Sequence, residues 1–166
     1  MLKDALWSSL ERNQQDILPV RLVAIHDDQM AVQPFKGMNH PAWILGHLLA
    51  IEQKVVHDVL GLPLPTALDV NWWSVYGIGS IPCTDPQVYK SKAFYMDGLA
   101  KTAAQIIGYL KEKNDSDFAA KNPDPVLAKV IPTVGAALIG AVNHRSYHGG
   151  QLAIWRKAMG LLHAGL

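Results

Sequence analysis

Two histidines four residues apart, His144 and His148, lie in the segment Asn143-His144-Arg145-Ser146-Tyr147-His148-Gly149-Gly150-Gln151-Leu152. On a helix that spacing places two imidazoles on one face, with β-carbons roughly 5–6 Å apart, so two ring nitrogens can converge on one ion. A third histidine, His47, lies in a second apolar helical pattern, Pro41-Ala42-Trp43-Ile44-Leu45-Gly46-His47-Leu48-Leu49-Ala50. Three neutral imidazoles with an open fourth position are one way to build a reactive divalent-metal site. Each histidine alone reads most simply as a core residue with one hydrogen-bond partner. Three together are harder to satisfy, because a buried polar group without a partner costs on the order of 1–3 kcal/mol. Arg145, the nearest charged neighbour on that stretch, has no acceptor to offer. One shared ion would serve all three rings; acceptors supplied by facing helices are the alternative.

Other metal templates are excluded by residue type. The segment reads His-Arg-Ser-Tyr-His and not His-Glu-x-x-His, so the general base of the zinc proteases is missing. No Glu-x-x-His occurs, which removes the di-iron carboxylate arrangement. The one cysteine, Cys83, can form neither a zinc knuckle nor an intramolecular disulfide, and that usage fits a reducing cytoplasm. What remains is a mononuclear three-nitrogen site, able to polarise a substrate oxygen, activate water or bind a thiolate. Zinc, nickel, copper and iron all suit three imidazoles. Gln151, Asn143, Tyr147 and Glu52 are the candidates for orienting the ligand rings. Gln151, one turn beyond His148, reads equally well as a solvated residue at the seam edge. No residue stands out as catalytic.

Four helical patterns must position these side chains. The first runs from about Lys3 to Ile25, with Leu2, Leu6, Leu10, Ile17, Leu18, Leu22 and Ile25 near one stripe. Pro19 predicts a kink or break near residues 15–19. The second is capped by Asn39 or His40, carries Pro41 in its first turn and ends at Gly61 before Pro63. His40 and His57 there read as surface or capping residues. The stretch from Leu62 to about Lys90 holds several prolines with Trp72, Trp73 and Tyr76, and is too long for an ordinary connection. It either covers a pocket or patches the side of the helices. The third helix spans about Ser91 to Asn114, and residues 114–132 form another loop. The fourth follows Thr133 and runs to about Met159, with Gly160 as its stop and Val134, Ala137, Leu138, Ala141, His144, His148, Leu152 and Trp155 facing inward. The expected fold is all-α: a four-helix bundle with long connecting loops, a single domain over residues 1–166.

Composition narrows the partners. Lysines and arginines number 15 against 14 acids, and they form no cluster, so a nucleic-acid partner is not expected. The apolar runs near 134–142 and 44–51 fall well short of the roughly 18 residues of a membrane span. The first residues show spaced apolar positions and no secretory signal, so a soluble, cytoplasmic protein acting on a small molecule is the expectation.

The segment from Asn39 to Leu48, paired with His144-x-x-x-His148-Gly149-Gly150-Gln151-Leu152, resembles the DinB-like (damage-inducible) superfamily of metal-binding four-helix bundles. The resemblance spans roughly Trp43 to Gly160. It implies metal ligation by His47, His144 and His148, a bundle that departs from simple up-down order, and a homodimer. It also implies zinc, nickel or a similar divalent ion with an open position. Characterised relatives include thiol-dependent S-transferases and a mycothiol-dependent isomerase, so a low-molecular-weight thiol is an implied cosubstrate. Two readings follow. The first is a metal-dependent enzyme, a thiol S-transferase or hydrolase by type. The second is a non-catalytic bundle, metal-stabilised or metal-free, acting through its dimer surface.

Overall fold

The computed structural model describes residues 2–161, except for the side chains of Asp16 and Ile17. The expected stripe position at Ile17 therefore lies outside the described side chains. The described residues are all-α; their only β pairing is an isolated bridge between Lys121 and Thr133. None of their helices is long and apolar enough to cross a membrane.

The first rod joins α1 (Leu2–Arg12) to α2 (Leu18–Leu22) through a π-helical turn, Asn13–Ile17. Of the kink or break expected near residues 15–19, the break does not occur, and the departure from α geometry is this π turn. Proline lacks an N–H and its ring crowds the carbonyl four residues back. The turn just before it widens, with the Leu18 N–H reaching the Asn13 carbonyl, and the helix passes the proline unbroken.

Helix α3 (Pro41–Lys54) begins at His40, whose Nδ1 accepts the Trp43 N–H at 3.3 Å, and Pro41 fills the first position. A second π turn, Val55–Val59, extends it. Gly61 at φ +68° then ends the rod, its N–H bonded to the His57 carbonyl at 3.2 Å and that of Leu62 to Val56 at 3.0 Å. The Gly61 bond, from the first residue past the helix to a carbonyl four back, is the αL stop, which favours glycine at the left-handed position.

The 62–90 stretch is not bare loop. It contains a short helix, α4 (Trp72–Tyr76), too brief to show a periodicity in sequence. Trp72 and Tyr76 are buried, while Trp73 points outward. The Tyr76 ring lies where a side chain on Gly46 would be: a Cβ there would stand 2.1 Å from a ring carbon. Helix α5 (Lys92–Glu112) starts at the Ser91 cap and α6 (Val134–Ala158) at the Thr133 cap, each hydroxyl accepting a backbone N–H at 3.2 Å.

Two apolar clusters divide the interior. One joins Leu18 and Leu22 to Ile44, Leu48, Tyr95, Leu99, Leu152 and Trp155. The other joins Leu6 and Leu10 to Val56, Ile106, Leu110, Phe118 and Leu138. Glu52 and Arg145, both fully buried, stand between them on α3 and α6. The inward stripe expected on α6 is buried throughout except at His144, which is half-exposed.

Candidate metal centre

His47 from α3 and His144 and His148 from α6 converge, their donor atoms within 4.8 Å of one another. The Nε2 atoms of His47 and His144 are 3.2 Å apart, and those of His148 and His144 3.0 Å. Two nitrogens each ~2.1 Å from one ion, at angles between a right angle and tetrahedral, lie about 3 Å apart. Among the described residues no fourth His, Cys, Asp or Glu joins the group.

The other nitrogens explain why these three point at each other. His47 Nδ1 donates to the Tyr76 carbonyl at 2.5 Å. His148 Nδ1 donates to Gln151 Oε1 at 2.8 Å, and the same oxygen accepts from Asn39 Nδ2 at 3.1 Å. Both rings are thereby fixed as the Nδ1–H tautomer, with an Nε2 lone pair facing His144. The indole of Trp43 stacks on His47, centroids 4.7 Å apart and planes 8° apart, and its own N–H is held by the Val75 carbonyl and Ser80 Oγ. The 62–90 stretch therefore supports the centre from behind, through α4.

Among the described residues nothing satisfies His144 completely. Its Nδ1 is buried without a partner. With its proton on Nε2 it can donate toward only one neighbour and leaves that Nδ1 lone pair stranded. With its proton on Nδ1 it strands a buried donor and aims three lone pairs at one point. A single cation resolves the second arrangement at the Nε2 side, so the donor set fits a divalent metal.

Electrostatics favour the same state. Burial pushes the His144 pKa down to about 3, with the neighbouring His148 and His47 adding to the shift. Burial likewise takes His148 down to about 4, against the opposing bond to Gln151. His47 is also lowered, by burial, despite the Tyr76 carbonyl. All three are neutral at pH 7, the form that binds a metal.

The four candidate orienting residues separate. Gln151 holds His148. Tyr147 is exposed and its ring stands edge-on to His148, centroids 5.0 Å apart. Asn143 is exposed on the side facing α1, beside Leu6 and Ser9. Glu52 does not orient a histidine: it forms a two-pronged pair with Arg145, Nε to Oε1 and Nη2 to Oε2, both at 2.5 Å. Arg145 also reaches Gln14 Oε1 at 2.7 Å and the Leu99 carbonyl at 3.2 Å.

Both histidines fall within the surface-or-capping expectation: His57 is exposed, and His40 caps α3 while lying buried. Its Nε2 donates to the Cys83 carbonyl at 2.8 Å. Two supports escaped the sequence. The Tyr76 carbonyl has no residue signature, and Asn39 reads in sequence as a helix cap.

The family model described as the DinB superfamily matches residues 9–152. A crystal structure of a conserved protein from Enterococcus faecalis is similar to this chain, with a TM-score of 0.70 and 15% identity. The match covers 93% of this chain and 95% of that one, a likeness of fold. No curated protein matches.

Proposed function

The chain belongs to the DinB superfamily, and on that premise we propose that it holds one divalent metal ion through His47, His144 and His148 and uses it as an enzyme on a small molecule. The observation that carries this reading is the tautomer lock: two rings are turned so that their free Nε2 atoms face the third, whose Nδ1 has no partner. Zinc or nickel is the proposed ion, with iron and copper the alternatives. When bound, such an ion lowers the pKa of a coordinated thiol or water and polarises a substrate oxygen.

The chain's own residues do the rest. The Tyr76 carbonyl and Gln151 fix two ligand rings and raise their basicity. Trp43 holds the plane of His47 and excludes water from one side. Half-exposed His144 and exposed Tyr147 mark the side from which a substrate enters. Among the described residues the donors number three and not four, which supports a working centre over a structural one, because a closed structural site takes a fourth side chain. A thiol S-transferase or a hydrolase is the reaction class proposed, with a low-molecular-weight thiol as cosubstrate for the first. The same reading takes the helices as a four-helix bundle with α4 riding on a long connection, residues 1–166 as one domain, and a cytoplasmic homodimer as the assembly.

Elemental analysis of tag-free protein, wild type beside His144→Ala, tests the proposal. We expect about one zinc or nickel per chain, lost in the variant while far-UV circular dichroism keeps its helical signal. Full metal content in the variant, or none in the wild type after reconstitution, overturns it. A thermal shift produced by a small thiol and abolished by chelation separates the enzyme from the structural reading.

A further inference from the structure

Gln151 Oε1 accepts two hydrogen bonds, from His148 Nδ1 at 2.8 Å and from Asn39 Nδ2 at 3.1 Å. Gln151 and His148 stand on α6, whereas Asn39 lies just ahead of α3, 112 positions away in sequence. A carboxamide keeps nearly the same shape when its oxygen and nitrogen are exchanged, but the exchange turns an acceptor into a donor. With Gln151 turned in that way, its N–H would point at His148 Nδ1, and that nitrogen would have to accept. The single proton of the neutral ring would then sit on Nε2, the atom 3.0 Å from His144 Nε2, and no lone pair would be left there for an ion.

The orientation of one amide therefore decides whether the centre can form, and solvent does not select it. Asn39 and Gln151 both border a cavity of about 260 Å³, with Met38 and Ile154, and water entering it pairs with either end of an amide. Asn39 does discriminate. Its NH₂ meets the same oxygen that His148 uses. Turning Gln151 alone would set two NH₂ groups face to face and break the bond between the two side chains. The turned state needs both amides to move together.

We propose that Asn39 is a positioning residue of the histidine centre: it holds the oxygen of Gln151 toward His148 and so keeps the His148 proton on Nδ1. It acts through two other side chains and touches neither ion nor substrate. The consequence for metal binding rests on the three-histidine site proposed above, whereas the position of the proton does not.

Asn39→Asp is the sharpest variant. Aspartate keeps the shape but has only acceptors, so Gln151 should turn its NH₂ toward it, and an acid at the start of a helix is well tolerated. The ring nitrogen chemical shifts of His148, in metal-free protein at neutral pH, read the proton directly. We expect Nδ1–H in the wild type and Nε2–H in Asn39→Asp, with far-UV circular dichroism unchanged. Zinc affinity, by competition with a chelator, should fall about 100-fold in Asn39→Asp and about tenfold in Asn39→Ala. A role in packing would order these two the other way, since aspartate fills the space and alanine does not. A plain charge effect would tighten zinc in Asn39→Asp, again with the opposite sign. Gln151→Glu offers an oxygen in either orientation, so in that background Asn39→Ala should change zinc affinity by less than about twofold. That pair stands in if Asn39→Asp fails to fold. Nδ1–H retained in Asn39→Asp, Nε2–H in the wild type, zinc held as tightly by Asn39→Asp as by the wild type, or an equal loss from Asn39→Ala in both backgrounds overturns the proposal. A wild type that binds no zinc instead refutes the three-histidine site, and the proton position then decides the role of Asn39 by itself.

Discussion

Helices α3 and α6 bring together two buried polar groups of residues, and they are built in opposite ways. Glu52 and Arg145 close on each other. Both carboxylate oxygens are used, and the guanidinium also donates to Gln14 and the Leu99 carbonyl. His47, His144 and His148 do the reverse. The Nδ1 atoms of His47 and His148 are tied down, and the Nε2 atoms of all three rings converge. A closed set is complete as folded and holds α6 against α3. An open set is complete only with something added. Burial and polarity are common to both, so neither property alone distinguishes a structural cluster from a site; the hydrogen-bond accounting does.

The largest test of this contrast is Arg145→Met, which leaves the Glu52 carboxylate buried and alone. It should cost about 3–5 kcal/mol in urea unfolding, whereas Glu52→Leu with Arg145→Met should restore most of that loss. A single variant as stable as the wild type would mean that water, not arginine, satisfies Glu52. Next comes Gln151→Leu, which frees the His148 ring. Metal affinity by competition with a chelator should weaken 10- to 100-fold, with the unfolding midpoint of the metal-free protein nearly unchanged. Equal affinity would show that the lock on His148 is not needed.

Acidification is a smaller effect with a definite sign. The folded histidines resist protonation while unfolded ones protonate near pH 6.5. Their contribution is therefore complete above that pH and is lost as pH falls toward the folded values of about 3 and 4. For metal-free protein we expect a loss on the order of 1 kcal/mol by pH 5, after discounting for solvent at a half-open site. A flat profile between pH 7 and 5 would contradict the burial of the rings. The smallest effect belongs to His57→Ala. It is exposed and outside both clusters, so the change should stay within about 0.5 kcal/mol and leave metal content untouched.

Much of this was legible in the residues. The four-residue spacing on an apolar stripe placed His144 with His148, and the stripe through Trp43, Ile44 and Leu48 turned His47 inward. Ser91, Thr133 and His40 announced helix starts by chemistry that acts within one turn. The closed pair was not legible. A charged residue one position after His144 reads as solvated until the topology puts Glu52 beside it, ninety-three residues away in sequence. The π turns were equally hidden, since a widened turn is set by what a helix must pass and pack against. Helix α4 is shorter than two turns and leaves no periodic trace, yet its carbonyl at Tyr76 aims the His47 ring.

That carbonyl has a kinetic consequence. A ring that is already turned, in the right tautomer and clamped beneath an indole, has no searching to do when an ion arrives. For His47 and His148 capture is a docking event and not a folding event, so its rate should follow how fast an ion sheds water. Zinc, which exchanges its waters quickly, should load well ahead of nickel, which does so slowly, even if nickel is held as tightly in the end. The metal found in freshly made protein would then report the order of arrival, and the metal found after long equilibration would report preference.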